Sequence, residues 1–223
     1  MNPFDFFDQI YCINLPQSED RREQASERFQ RLGILDRVQW IYAEPPRQDI
    51  FIRDRVSREF SYPVTMVGVS LSHLKVFTTA LASGAKNILV FEDDVTFTSS
   101  AAHDLQTATA NLPSDWEALY LGGEPIEPTQ TYSVGLVSVN KFLGLYAYAL
   151  SRPAIEKWAL AFIDNITRIA GDGIPWDLTE AAHQTYCVYP PICVTLPNRS
   201  TITGRDENYD AETQYAWSTY KPS

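Results

Sequence analysis

Asn87-Ile88-Leu89-Val90-Phe91-Glu92-Asp93-Asp94 is an apolar, β-prone run that ends abruptly in three carboxylates. A short continuous apolar segment bounded by polar residues reads as a strand buried on both faces, the kind found at the centre of a parallel sheet. Such strands come from α/β chains, and open α/β sheets take their ligands in the crevice beyond the carboxyl ends of the strands. The acidic triplet therefore stands where a ligand is expected.

The flanking sequence carries the same pattern in both directions. Upstream, a helix is predicted from Gly68 to about Gly84, with Leu71, Leu74, Phe77 and Leu81 spaced for one buried face. Val38 to Ala43 reads as another strand, and Glu44 to Pro63, with its paired prolines and many charges, as an irregular surface excursion. The chain opens with a strand, Gln9 to Leu15, closed by Pro16. Ser18 then caps a helix with Glu19 and Asp20 in its first turn, Ala25, Phe29 and Leu32 on one face, and Gly33 as its stop.

Downstream, a helix over about Ala101 to Asn111 precedes a strand, Glu117 to Leu121, that ends in Gly122-Gly123. Val134 to Val139 and Leu143 to Leu150 are β-prone. Ser151 and Pro153 open a helix carrying Ile155, Trp158, Ala159, Phe162 and Ile166. Tyr186 to Leu196 is β-prone but interrupted by Pro190-Pro191, so a strand there is edge-like or split. The expected class is α/β with a mixed, mostly parallel central sheet.

The 223 residues suit one domain, 1–223, and no internal repeat divides them. A hydrophobic fraction of 44% with 21% charged residues is ordinary for a folded chain. The formal net charge of -10 argues against a nucleic-acid or anionic-membrane binder, because both need a basic face. Met1 to Ile10 lacks the basic and apolar regions of a secretory signal, and no run reaches the roughly 18 apolar residues of an integral membrane segment. Cys12, Cys187 and Cys193 are odd in number and without metal-ligand spacing, which suits a reducing, cytoplasmic setting.

Three adjacent carboxylates repel one another unless solvated, protonated or bound to a cation. Hard oxygens at a turn suit Mg2+ or Mn2+, which take one or two protein carboxylates and bridge to phosphates. From the triplet alone, an acidic turn that merely ends the strand is an equally good reading.

The wider sequence favours the first. Ile13-Asn14-Leu15 with Asp20-Arg21-Arg22, then Gly68-Val69-Ser70-Leu71-Ser72-His73-Leu74, then Leu89 to Val95 resemble, in order, the motifs of the family 25 glycosyltransferases. Leu145 to Ser151, Pro175-Trp176-Asp177-Leu178, and Pro190-Pro191 with Ser200-Thr201-Ile202 extend the resemblance over nearly the whole chain. It implies a GT-A-like, Rossmann-type nucleotide-sugar-binding fold, with a donor-binding half over about 8–122 and an acceptor-side half over about 123–223. It also implies a UDP-sugar donor, Mn2+ or Mg2+ dependence, inversion at the anomeric carbon, and a glycan, glycolipid or glycoprotein acceptor. Any membrane contact is then peripheral.

Residue by residue, the resemblance assigns Asp94, and with it Asp93, to the metal, with Glu92 beside them. Asn14, Leu15, Arg21 and Arg22 fall on the nucleotide side, where an Arg fork pairs with phosphate; a solvated salt bridge is an equally good account of Arg22. Ser72 and His73, placed in the first turns of their helix, hold donor or position metal-binding groups, against the alternative of a satisfied structural histidine. Asp177 is the first candidate for the base that takes the acceptor proton, with Asp172 and Glu180 as rivals; a helix cap worth about 1 kcal/mol explains Asp177 equally well. Trp176 beside it is a candidate acceptor platform. One departure stands out: the second strand ends in Ala43-Glu44-Pro45-Pro46, without the glycine the family pattern has there. A binding module without turnover and a metal-dependent phosphohydrolase or nucleotidyltransferase are the competing functions.

Overall fold

The computed structural model describes residues 2–43, 64–166, 173–175, 184–195, 198–199, 206–207, 217 and 219. Its centre is an eight-stranded sheet of order β2-β1-β3-β10-β5-β11-β8-β7. These strands are β1 (Gln9–Asn14), β2 (Val38–Tyr42), β3 (Asn87–Glu92), β5 (Ala118–Tyr120), β7 (Gln130–Ser133), β8 (Leu136–Ser138), β10 (Ala147–Ser151) and β11 (Thr185–Val188). β1 pairs in parallel with both β2 and β3, and β11 with β5. β10 lies antiparallel between β3 and β5, and β8 antiparallel between β11 and β7. Only β10 and β8 run against the other strands, so the sheet is mixed and mostly parallel, as the sequence implies.

Side-chain alternation divides the core into two layers. Ile10, Cys12, Leu89, Phe91, Ala147 and Ala149 face one side, where Ala25 and Phe29 of the helix Glu19–Arg31 and Leu105 of the helix Ala101–Asn111 cover them. Tyr11, Ile13, Ile88, Val90, Tyr148 and Leu150 face the other, against Val76, Phe77 and Ala80 of the helix Val64–Ser83 and Trp158 and Phe162 of the helix Arg152–Asn165. Burial on both faces explains why these strands are apolar throughout.

Several boundaries differ from the sequence reading. The second long helix begins at Val64, not Gly68. Ser18 holds the N-cap position of its helix without a side-chain capping bond. The run read as one strand over Val134 to Val139 is the turn and second arm of a hairpin, because Gly135 at φ 78° reverses the chain. Leu143 belongs to a separate short strand, β9 (Phe142–Leu143), paired with β6 (Glu124–Pro125); Gly144 at φ 107° separates it from β10. The β-prone tail is split, as expected, into β11 and β12 (Cys193–Thr195). β12 pairs with β4 (Val95–Phe97), the strand that follows the acidic turn. Ile192 and Cys193 both donate to the Leu121 carbonyl, at 2.9 and 3.0 Å. This close approach requires glycine next: a Cβ on Gly122 would lie 2.1 Å from the Cys193 oxygen.

Candidate active site

The carboxyl ends of β1 and β3 lie side by side, with Ile13 opposite Glu92 in register. That adjacency brings Asn14 to the acidic turn. Its Nδ2 donates to Asp93 Oδ2 at 2.7 Å and to the Ser18 carbonyl at 3.1 Å, so one amide ties the turn to the start of the next helix. Asn14 is 1% exposed, and its Oδ1 is buried without a hydrogen-bond partner.

Strand alternation then directs the acids. Asp93 has the parity of Leu89 and Phe91 and turns toward the helix Glu19–Arg31. There Arg21 Nη2 forms ion pairs with Asp93 Oδ1 and, at 2.8 Å, with Asp94 Oδ2. Two helical turns further, Arg28 Nη2 donates to the Asp93 backbone carbonyl at 2.7 Å. Burial pushes the Asp93 carboxyl above its ordinary pKa, while Arg21 and the Asn14 amide pull it back and Asp94 adds to the rise. Burial also pushes the Cys12 thiol beneath this turn well up, with Asp93, Asp94 and Glu92 adding to the effect, so Cys12 stays a protonated core side chain.

Glu92 has the parity of Ile88 and Val90 and meets the opposite layer. Its Oε1 lies 3.3 Å from His73 Nε2, and His73 Nδ1 lies 2.8 Å from the Tyr148 hydroxyl. With Tyr148 donating to Nδ1, the imidazole carries its proton on Nε2 and donates it to Glu92. His73 and Tyr148 are both fully buried.

The sequence-derived candidates thus separate. Asn14, Arg21, Asp93 and Asp94 converge, with Glu92 and His73 on the adjoining face. Leu15 continues from Asn14 and accepts from Ser18 N at 2.9 Å. Arg22 stacks instead on Trp40 and Tyr42, its guanidinium carbon 5.0 and 5.4 Å from the ring centroids, and donates to the Tyr42 hydroxyl. The placement of Ser72 and His73 at a helix N-terminus is corrected. With the helix starting at Val64 they lie well inside it, and Ser72 Oγ bonds the Gly68 carbonyl at 2.7 Å. Backbone N–H groups this far into a helix already bond carbonyls four residues back, so the free donors and dipole of a first turn are not available there. Asp172, Asp177, Glu180 and Trp176 lie outside the described residues, as do Glu44, Pro45 and Pro46.

Two contributors escaped the sequence reading. Arg28 had a usable signal, since seven residues after Arg21 it shares the same helix face. Tyr148 had only a weak one: within the run Ala147-Tyr148-Ala149 it reads as ordinary core.

Among the described residues, no group of three or more His, Cys, Asp or Glu side chains is arranged to enclose a metal ion. Mg2+ and Mn2+ need fewer protein ligands where phosphate oxygens and water complete the shell. The Asp94 side chain, at 18% exposure, and the more buried Asp93 carboxylate, at 8%, offer the hard oxygens for that, with the unpartnered Asn14 Oδ1 beside them. The donor set fits such an ion.

The buried acidic turn, held by arginines, thus stands at the carboxyl ends of parallel strands, where open α/β sheets take their ligands. The profile described as glycosyltransferase family 25 (LPS biosynthesis protein) matches residues 7–145, and the chain belongs to this family. It is 25% identical over 252 aligned residues to procollagen galactosyltransferase 1-A of Xenopus laevis, covering 95% of this chain and 39% of that protein. It is 27% identical over 168 residues to the inactive glycosyltransferase 25 family member 3 of Homo sapiens, covering 68% of this chain and 28% of that one. The chain thus matches about a third of the length of these relatives. Among solved structures, a glycosyltransferase involved in glycosylation of the PBCV-1 major capsid aligns at 12% identity and a TM-score of 0.37, covering 78% of this chain and 66% of that one. No described helix is long and apolar enough to cross a membrane.

Proposed function

We propose that this chain is an active, metal-dependent, inverting transferase that moves a sugar from a UDP-sugar to a hydroxyl of a glycan, glycolipid or glycoprotein. The observation that carries the proposal is the convergence of Asn14, Arg21, Arg28, Asp93 and Asp94 at the ends of β1 and β3, inside the segment that matches the family. Family membership supports sugar transfer, and the relative named a procollagen galactosyltransferase makes galactose the first sugar to test.

In this reading Asp94, with Asp93 behind it, would hold Mn2+ or Mg2+ at the donor site. When bound, the ion supplies positive charge that stabilises the departing nucleoside diphosphate. Asn14 and Arg28 hold the acidic turn in place, one through the Asp93 side chain and the other through its backbone. The acceptor oxygen forms its bond to the anomeric carbon as the bond from that carbon to the diphosphate breaks. A carboxylate takes the hydroxyl proton, and Asp177 is the first choice for it, then Asp172 and Glu180.

The second reading is a binding module without turnover, favoured by the relatives named inactive. Product analysis with UDP-galactose, Mn2+ and a mixed panel of hydroxyl acceptors separates the possibilities. UDP together with a new glycoside supports transfer, whereas UMP with sugar phosphate indicates a hydrolase. Calorimetric binding of UDP with no turnover across UDP-sugars and acceptors would favour the binding module.

A further inference from the structure

Arg21 supplies the positive charge that the acidic turn holds in this structure. A single nitrogen, Nη2, bridges carboxylate oxygens of both Asp93 and Asp94. Asn14 Nδ2 occupies the other Asp93 oxygen, so little of the Asp93 carboxylate remains for an incoming ion. The arrangement is nevertheless incomplete. Arg21 Nε and Asn14 Oδ1 are both buried without hydrogen-bond partners, and a buried polar atom left this way is costly. One is a donor without an acceptor and the other an acceptor without a donor or cation. Both deficits are met at once if a cation enters beside Asn14 Oδ1 and the guanidinium turns to an anion such as a phosphate.

We propose that Arg21 is a built-in counter-ion that competes with the metal for the acidic turn, and that the donor diphosphate releases the turn by drawing Arg21 onto itself. The proposal rests on the donor-site reading given above and adds its order of assembly. Metal alone binds weakly because it must displace a charge-assisted, two-carboxylate ion pair. Metal and diphosphate together bind well, because each removes an obstacle for the other. Such coupling is reciprocal: the factor by which nucleotide strengthens metal binding equals the factor by which metal strengthens nucleotide binding. Arg21 thus pairs with the acidic turn in one state and with the diphosphate in the other, so its loss affects the two ligands in opposite directions.

The test is Mn2+ binding to the whole chain without nucleotide, followed by the electron paramagnetic resonance signal of free Mn2+, for the natural protein and Arg21→Gln. The expected result is at least about tenfold tighter Mn2+ binding by Arg21→Gln, with weaker UDP binding at saturating Mn2+. Equal or weaker Mn2+ binding by the variant, or none by either protein, overturns the competition. If Arg21→Gln does not fold, Arg21→Lys carries the test. It keeps a charge but loses the planar group that bridges both acids, so Mn2+ binding should tighten severalfold, and an unchanged affinity is again fatal to the idea. Failure of the UDP-sugar reading looks different: UDP then binds neither protein with or without Mn2+, while the metal-only comparison still decides the role of Arg21.

Discussion

Replacing Asn14 by aspartate is nearly isosteric, yet it should convert the best-placed hydrogen bond of the acidic turn into a repulsion. Nδ2 lies 2.7 Å from Asp93 Oδ2, and the residue is 1% exposed, so the new carboxylate has no route to bulk water. The variant loses a hydrogen bond to a charged group, worth about 1.5–3 kcal/mol. Two carboxylates about 4 Å apart at an effective dielectric near 20 add roughly 4 kcal/mol of repulsion if both stay ionised. The folded protein limits that cost by keeping one proton on the pair, at about 1.4 kcal/mol per pH unit above the pKa of an unfolded carboxylate, about 3.9. Burial already pushes Asp93 in this direction.

The sign follows from proton counting. The folded variant holds a proton that the unfolded chain has released, so its stability relative to the natural protein falls as pH rises above about 4 and levels off near pH 7, where repulsion becomes the cheaper alternative. Urea denaturation of both proteins at pH 5, 6 and 7 reads the effect directly. The gap between them should widen by about 2–3 kcal/mol over that range. A gap that does not change with pH, or one below 1 kcal/mol throughout, would show that Asn14 and Asp93 are not the buried pair described here.

Two further substitutions test the frame around the site. Tyr148→Phe removes the hydroxyl 2.8 Å from His73 Nδ1, and the fully buried imidazole should make the change cost about 1–3 kcal/mol, a melting shift of several degrees in a thermal scan. A loss under half a kcal/mol would mean that this contact does not hold His73. Gly122→Ala places a methyl 2.1 Å from the Cys193 carbonyl, so the β5 exit and β12 must separate. The expected penalty is about 3 kcal/mol or more, and normal stability would contradict the close approach.

Much of this arrangement was written in the sequence, and the exceptions have local causes. The central strands were legible because burial on both faces leaves an apolar run, as in Ile88 to Phe91. The acidic turn was legible because charge ends that run abruptly. The hairpin over Gln130–Ser138 was not, since Val134 is apolar yet 74% exposed, and the turn depends on the backbone of Gly135. The early start of the helix at Val64 was hidden because Val64-Thr65-Met66-Val67 is rich in β-branched residues, whose helix propensity is modest. That misplacement gave Ser72 and His73 a helix-end role, whereas His73 reaches the site from mid-helix through Glu92. The Arg21 pairing with Asp93 and Asp94 depends on how the helix Glu19–Arg31 packs over β1 and β3, a tertiary fact that spacing alone does not contain.

The opposite facing of Glu92 and Asp93 bears on how such a site can change over time. Three adjacent acids would ordinarily behave as one anionic block, so that altering any neighbour disturbs them all. Here the sheet lies between them: the His73–Tyr148 layer governs one acid, and the arginine helix governs the other two. A lineage can therefore retune the Asp93–Asp94 pair through the first helix while leaving the opposite layer as it was. It can equally loosen that pair through one arginine-face substitution and keep the sheet's two buried layers.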